Sequence, residues 1–206
     1  MVLTALLAGS VCAQIADPGF ESQELTQDNE IRNNEEETWR GRDTQASIQS
    51  TGGSGGGGYL QLTDDTSCAG AGQYFPVNGL VVGASYLLRF DMKVVSDGTL
   101  SDNVLKIYLG EDNGASNAYK SRMKWTTSEW NAQGVASMDV DGEAVSVTSA
   151  QEWTTVTSTG SMTLDSADNF AFIAFWTDDV LTNGYIGIDN VQLVEDLPVG
   201  TTVILR

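Results

Sequence analysis

Histidine is absent from the 206 residues, cysteine occurs twice and proline three times. Without histidine there is no imidazole general base, no Ser-His-Asp or Cys-His nucleophile and no His-ligated zinc. Basic residues are scarce as well: ten Lys and Arg face 28 Asp and Glu, a formal charge of −18. That balance opposes nucleic acid and anionic membrane surfaces, both of which need basic patches. Charged residues make up only 18% of the chain, below the roughly 25% of an average globular domain. Polarity comes instead from Ser, Thr, Asn and 22 glycines. No stretch approaches the ~20 consecutive apolar residues of a membrane helix. These absences leave hard cations and neutral polar ligands, addressed through carboxylates, amides, hydroxyls and aromatic rings. Apolar residues at 41% are enough for a core, which excludes wholesale disorder.

The N-terminus has the form of a leader. Residues 1–8 are mostly apolar, and Val11-Cys12-Ala13 places small residues ahead of Gln14, as at a secretory cleavage site after Ala13. No Lys or Arg precedes the run and the run is short, so an ordinary first strand is the alternative. The expected organisation is a leader over 1–13, one domain over 14–196 and a tail or extra strand over 197–206, in a secreted, extracellular protein. Cys12 leaves with the leader, and Cys68 is then single. If the leader stays, a disulfide between Cys12 and Cys68 is open in an oxidising compartment. No basic residue beside either sulfur marks a catalytic thiol.

Helix signals are nearly missing, while strand signals recur about every ten residues between Gly, Asn, Asp and Ser clusters. Residues 85–95 alternate most clearly: Tyr86, Leu88, Phe90, Met92 and Val94 share one face, with Arg89, Asp91 and Lys93 on the other. Residues 104–109 turn Leu105, Ile107 and Leu109 inward and Lys106 and Tyr108 outward. Further strands are expected over 59–62, 73–77, 144–148, 153–164, 170–176 and 185–195. The glycine-rich piece 50–58 is expected to be a mobile surface loop. The fold class is all-β, an antiparallel β-sandwich of jelly-roll type.

Several segments resemble one family. Asp17-Pro18-Gly19-Phe20-Glu21, Gly83-Ala84-Ser85-Tyr86 with Leu88 and Phe90, Glu152-Trp153-Thr154, and the closing run from Tyr185 through Asp189 to Leu193 are similar to motifs of jelly-roll carbohydrate-binding modules. The modules are those of the calcium-containing type attached to xylanases and related glycanases. The resemblance runs from about Asp17 to Glu195. It implies a structural Ca²⁺ held by Glu21 and Asp189, with Asp17 or a nearby carbonyl assisting. The chemistry agrees, since Ca²⁺ takes six to eight oxygen ligands. It also implies structural, core positions for Trp39 and Trp153.

Sugar rings stack their C–H faces on flat aromatic rings, while their hydroxyls bond polar side chains. The expected ligand residues are Trp125, Trp130, Tyr108, Arg89 and Trp176. Arg89, Asp91, Lys106 and Tyr108 are expected to share one sheet face. Lys120, Arg122 and Lys124 alternate on one strand face, suiting an anionic sugar or nearby carboxylates. The partner is then a polysaccharide or cell-surface glycan, bound without catalysis. A glycan-cleaving enzyme needs two carboxylates flanking a groove. The nearest set, Asp139, Asp141 and Glu143, surrounds Gly142 and reads as a turn, so no catalytic residue is assigned. The other open reading is a self-assembling surface or filament subunit, associating through a sheet edge or the β-branched tail beyond Leu197.

Overall fold

The computed structural model describes residues 15, 17–21, 25–27, 30–32, 39–41, 45–63, 69–95, 105–112, 122–125, 130–133, 136–145, 152–165, 170–177 and 184–197. The leader, both cysteines, Lys120 and the tail beyond 197 lie outside them. The described residues form fourteen strands and no α-helix. In chain order these are β1 (Thr26–Gln27), β2 (Glu30–Arg32), β3 (Arg40–Gly41), β4 (Ala46–Gln49), β5 (Tyr59–Leu62), β6 (Ala69–Pro76) and β7 (Ser85–Val95). The rest are β8 (Leu105–Asp112), β9 (Arg122–Trp125), β10 (Trp130–Gln133), β11 (Ala136–Val145), β12 (Thr154–Thr163), β13 (Phe170–Thr177) and β14 (Tyr185–Glu195).

Two large sheets result. One has the order β1-β3-β6-β13-β8-β11, the other β12-β7-β14-β5-β4. Every pairing within them is antiparallel except the two-residue β1 against β3. This is the expected antiparallel β-sandwich. A third, three-stranded ribbon has the order β10-β9-β2.

The alternation of β7 is realised residue by residue: Tyr86, Leu88, Phe90, Met92 and Val94 are all buried. Ile186, Ile188, Val191 and Leu193 of β14 complete that wall, and Leu105, Ile107, Leu109, Ala171, Ile173 and Phe175 form the opposite one. Phe90 meets Phe175 edge-to-face across the sandwich with ring centroids 5.1 Å apart. Trp39, fully buried as expected, stacks on Phe175 at 6.1 Å and meets Phe20 at 4.8 Å.

Three expectations need correction. β7 and β8 follow one another in the chain but lie in opposite sheets, so Arg89 and Asp91 face away from Lys106 and Tyr108 across the whole sandwich. Alternation identifies the two faces of a strand but not the sheet it joins. The segment around Gly142 is no turn. β11 runs through it, and the register slips between Met138 and Val140 and again between Val140 and Glu143. Gly142 takes a φ of +66° there, the left-handed glycine of a bulge. Ala144 and Val145 are therefore the end of β11 rather than the start of a separate strand, and 146–148 lie outside the described residues.

That bulge aims Glu143 at the edge of the other sheet. Its Oε1 accepts the Thr159 N–H and its Oε2 the Gly160 N–H, both at 2.8 Å. Both donors sit where β12 itself slips register against β7, between Thr157 and Ser161. One carboxylate thus joins the edge strands β11 and β12. Glu143→Ala should lower unfolding stability by about 1.5–3 kcal/mol, the range for hydrogen bonds to a charged acceptor. Glu143→Gln should keep roughly half of that effect. Urea unfolding reads the difference, and an unmoved midpoint for Glu143→Ala would show that the two edges are held by other contacts.

Candidate functional site

The turn at 17–21 is fastened to β14. Asp17 O accepts the Phe20 N–H at 3.0 Å and Asp17 Oδ1 accepts the Glu21 N–H at 2.7 Å. Pro18 O accepts the Val191 N–H at 3.0 Å. Asp17, Phe20 and Asn190 all take positive φ, unusual for side chains other than glycine. Phe20 is held there because its ring is buried against Trp39.

Asp189, only 3% exposed, is the centre of this junction. Its Oδ2 accepts the Ser54 N–H and its Oδ1 the Asn190 N–H, both at 2.7 Å. Burial raises its pKa first, the two backbone N–H bonds lower it, and the charges of Asp91 and Glu21 raise it again, for a net upward shift. Glu21 and Asp189 border the same glycine: a Cβ built on Gly19 would lie 3.8 Å from Glu21 Oε1 and 3.7 Å from Asp189 Oδ1.

The piece 50–58, expected to be mobile, is instead an ordered connection from β4 to β5, folded onto these carboxylates. Gly53 and Gly58 are buried. A Cβ on Gly53 would come within 2.6 Å of Asp189 Oδ2, and one on Gly57 would overlap the Glu21 carboxylate. Glycines here permit close approach rather than mobility.

The structure therefore brings Glu21 and Asp189 together, while the Asp17 carboxylate serves the turn. Among the described residues no group of three acidic or sulfur side chains gathers as a metal site. Two carboxylates beside backbone carbonyls are nonetheless an all-oxygen donor set, of the kind that suits a hard cation.

The five expected ligand residues do not share one face. Tyr108 and Trp176 stand on the outer face of the six-stranded sheet, yet are 1% and 0% exposed. Tyr74 and Phe172, 5.5 Å apart, share that face and are buried too. Between them the sheet carries Gly70 and Gly72 on β6, Gly110 on β8 and Ala174 on β13. Arg40 lies opposite Gly72, and Lys106 opposite Trp176. The ribbon reaches from β2 beside β6 to β10 beside β11. It carries Trp125 and Trp130, directly paired at its end. Arg89 stands on the outer face of the five-stranded sheet instead.

The sequence reading missed one group of rings. Trp153, expected in the core, is half-buried on the outer face of the five-stranded sheet, with Tyr59 and Tyr185 beside it. The signal was available: Tyr59, Gly187 and Tyr185 fall on the non-core phase of their strands.

A second acidic group lies at the β8–β11 edge. Asp139, on an exposed position of β11, is raised from its ordinary 3.8 to about 6, by partial desolvation of its carboxyl first and then by the charges of Glu111 and Asp165.

No protein family matches the sequence, and no curated protein does. Solved structures do. A cyclase from Fischerella sp. TAU, in complex with 4-(1H-indol-3-yl)butan-2-one, is similar with a TM-score of 0.50 and 13% identity, over 90% of this chain and 97% of that one. TmCBM61 in complex with β-1,4-galactotriose gives 0.48 and 13%, over 89% and 99%. A CBM22 xylan-binding domain from Paenibacillus barcinonensis gives 0.45 and 14%, over 83% and 96%. At these identities the likeness to the cyclase is one of fold alone.

A raised carboxyl favours the protonated fold, so its contribution is full below the ordinary value and is lost as pH rises through the folded one. Asp139→Asn should therefore gain stability over wild type as pH rises from about 4 to about 6 and hold that gain at pH 7. Thermal melts across that range check this, and a pH-independent difference would contradict the folded-state shift.

Proposed function

We propose that the chain is a non-catalytic carbohydrate-binding β-sandwich, secreted and stabilised by calcium. On this reading polysaccharide or cell-surface glycan is held at the outer face of the six-stranded sheet. One observation carries it. A sandwich needs a single apolar layer, between its sheets, yet Trp176, Tyr108, Tyr74 and Phe172 make a second aromatic layer on the far side of one sheet. Gly70, Gly72, Gly110 and Ala174, the small residues of the same face, lie among those rings and are buried with them. Flat rings interleaved with small residues suit the C–H faces of a pyranose, and Arg40 and Lys106 border them with groups that bond hydroxyls. On this reading the ribbon that carries Trp125 and Trp130, neighbour to β6 at one end and to β11 at the other, borders the sugar site.

Calcium, when bound, supplies the charge that offsets Glu21 and Asp189. Those two residues would hold it, with carbonyls of the 50–58 loop and of Phe20 the neighbouring oxygen donors. This fastens the turn at 17–21 to the last strand and stabilises the folded state by mass action.

Two measurements test the reading. Chelator should lower the melting temperature of wild type and leave that of Asp189→Ala unmoved; an identical wild-type melt with and without chelator would refute the metal. Trp125→Ala and Trp130→Ala should stay folded and weaken binding of an array-selected glycan about tenfold each by calorimetry, as loss of a ~1–2 kcal/mol ring contact requires. Normal binding by both variants would move the site elsewhere. If wild type binds no glycan and elutes as large calcium-dependent particles, the assembly reading replaces this one.

A further inference from the structure

The outer face of the five-stranded sheet holds a ring cluster that the reading above leaves unused. Trp153 directly precedes β12, and its indole reaches over Gly187 of β14. A Cβ built on Gly187 would lie 2.9 Å from Trp153 Cη2 and 3.2 Å from Tyr59 Cδ2. Any side chain at 187 would therefore displace the indole. Tyr59 meets Trp153 edge-on at 5.6 Å, and Tyr185 flanks Tyr59 at 6.1 Å. The indole N–H is anchored on Gly52 O at 3.2 Å. The orientation of the ring is thus set from below, from beside and through its one polar atom. Even so, Trp153 and Tyr185 are only half-buried, whereas Trp39 and Trp176 are fully buried. Rings held in place but left partly open are prepared for something that stacks.

The surroundings are polar and aligned. Register places Gln61, Gly187 and Lys93 side by side on β5, β14 and β7. With strands about 4.8 Å apart, that row and its neighbour on β4 span roughly 14 Å. Gln61 is preorganised, since its Oε1 accepts the Tyr59 hydroxyl at 3.1 Å and its Nε2 donates to Thr63 Oγ1 at 3.0 Å. Lys93 adds three donors at the far end. Asp91 and Asp189 lie two residues along on the same face, and the chain carries −18 overall. An acidic sugar would be repelled here. A neutral one meets flat rings, an amide and an ammonium in a line.

We propose that this face is a second glycan site, which takes a strand of neutral polysaccharide across the row over Trp153. The two outer faces point in opposite directions, so a single copy of the domain bridges two glycan chains. The bridging rests on the proposed function; the second site rests on its own residues.

The test uses the full chain in native gels cast with arabinoxylan, galactan or glucomannan, together with the turbidity of the same soluble polysaccharides. Wild type should be retarded and should cloud at least one of them. The paired substitution Lys93→Ala with Gln61→Ala should keep the wild-type circular dichroism and thermal melt, weaken retardation about tenfold at this face and abolish clouding. Trp153→Ala should do the same. Should it unfold through loss of the Gly52 contact, the Lys93 and Gln61 pair still decides. A folded pair variant that clouds polysaccharide like wild type overturns the proposal. So does complete loss of retardation when only Trp125 and Trp130 are changed, an outcome that leaves the first face standing. If those two changes leave retardation intact while the Lys93 and Gln61 pair abolishes it, the second site stands and the first reading falls. If wild type is retarded by none of the polysaccharides, both fall.

Discussion

The arrangement depends on one buried carboxylate. Asp189 accepts hydrogen bonds from Ser54 and from its neighbour Asn190 and borders Gly19, so two distant stretches of chain converge on the last strand there. Two more acids, Asp91 and Glu21, press on it electrostatically. Such a group is costly without donors or a counter-charge. The glycine loop meets part of that need by bringing a backbone N–H to Oδ2, and its glycines exist because a Cβ at 53 or 57 would collide with the very oxygens being served. The same loop then offers Gly52 O to Trp153. The acidic junction and the outer aromatic face are therefore two ends of one connection.

Asp91 illustrates how the junction spreads its charge. Burial raises its pKa, but bonds from Thr155, Asn190 and Ser54 and the nearby Arg89 outweigh that and leave it lowered. Adjacent carboxylates, Asp91 and Asp189, are thus pushed in opposite directions by what surrounds them. At the other edge Asp139 has few such donors and shifts up. Backbone and amide N–H groups hold several of the crowded carboxylates, as Glu143 shows between the sheet edges.

Much of the fold was legible because period-two alternation is a local property. β7 and β14 occupy the expected spans, and the inner residues of β7 were named in advance. Sheet membership was not legible, since Arg89 and Tyr108 alternate identically whichever sheet their strands join. Glycine content also misled. The run 50–58 has the composition of a flexible linker, but composition does not record that oxygens of Glu21 and Asp189 stand against it. The pairing of Glu21 with Asp189 was visible from the motif, whereas the burial of Tyr108 and Trp176 was not, because alternation does not record what covers the outer face of a sheet. The family resemblance implied a core position for Trp153, and its half-open position follows from Gly187, 34 residues further on.

The bond from Val191 N to Pro18 O joins residues 173 positions apart, and that from Ser54 to Asp189 spans 135. Contacts of such separation are slow to form because a long loop must close before either is gained. During synthesis, moreover, β14 is among the last described segments to leave the ribosome. Until it does, the turn at 17–21, the glycine loop and the central slot of the five-stranded sheet all lack their partner. Nearly the whole chain must wait as a nascent, open-edged intermediate before the sandwich shuts, which makes its passage to maturity a matter of keeping β5 and β7 from pairing with a neighbour in the interval.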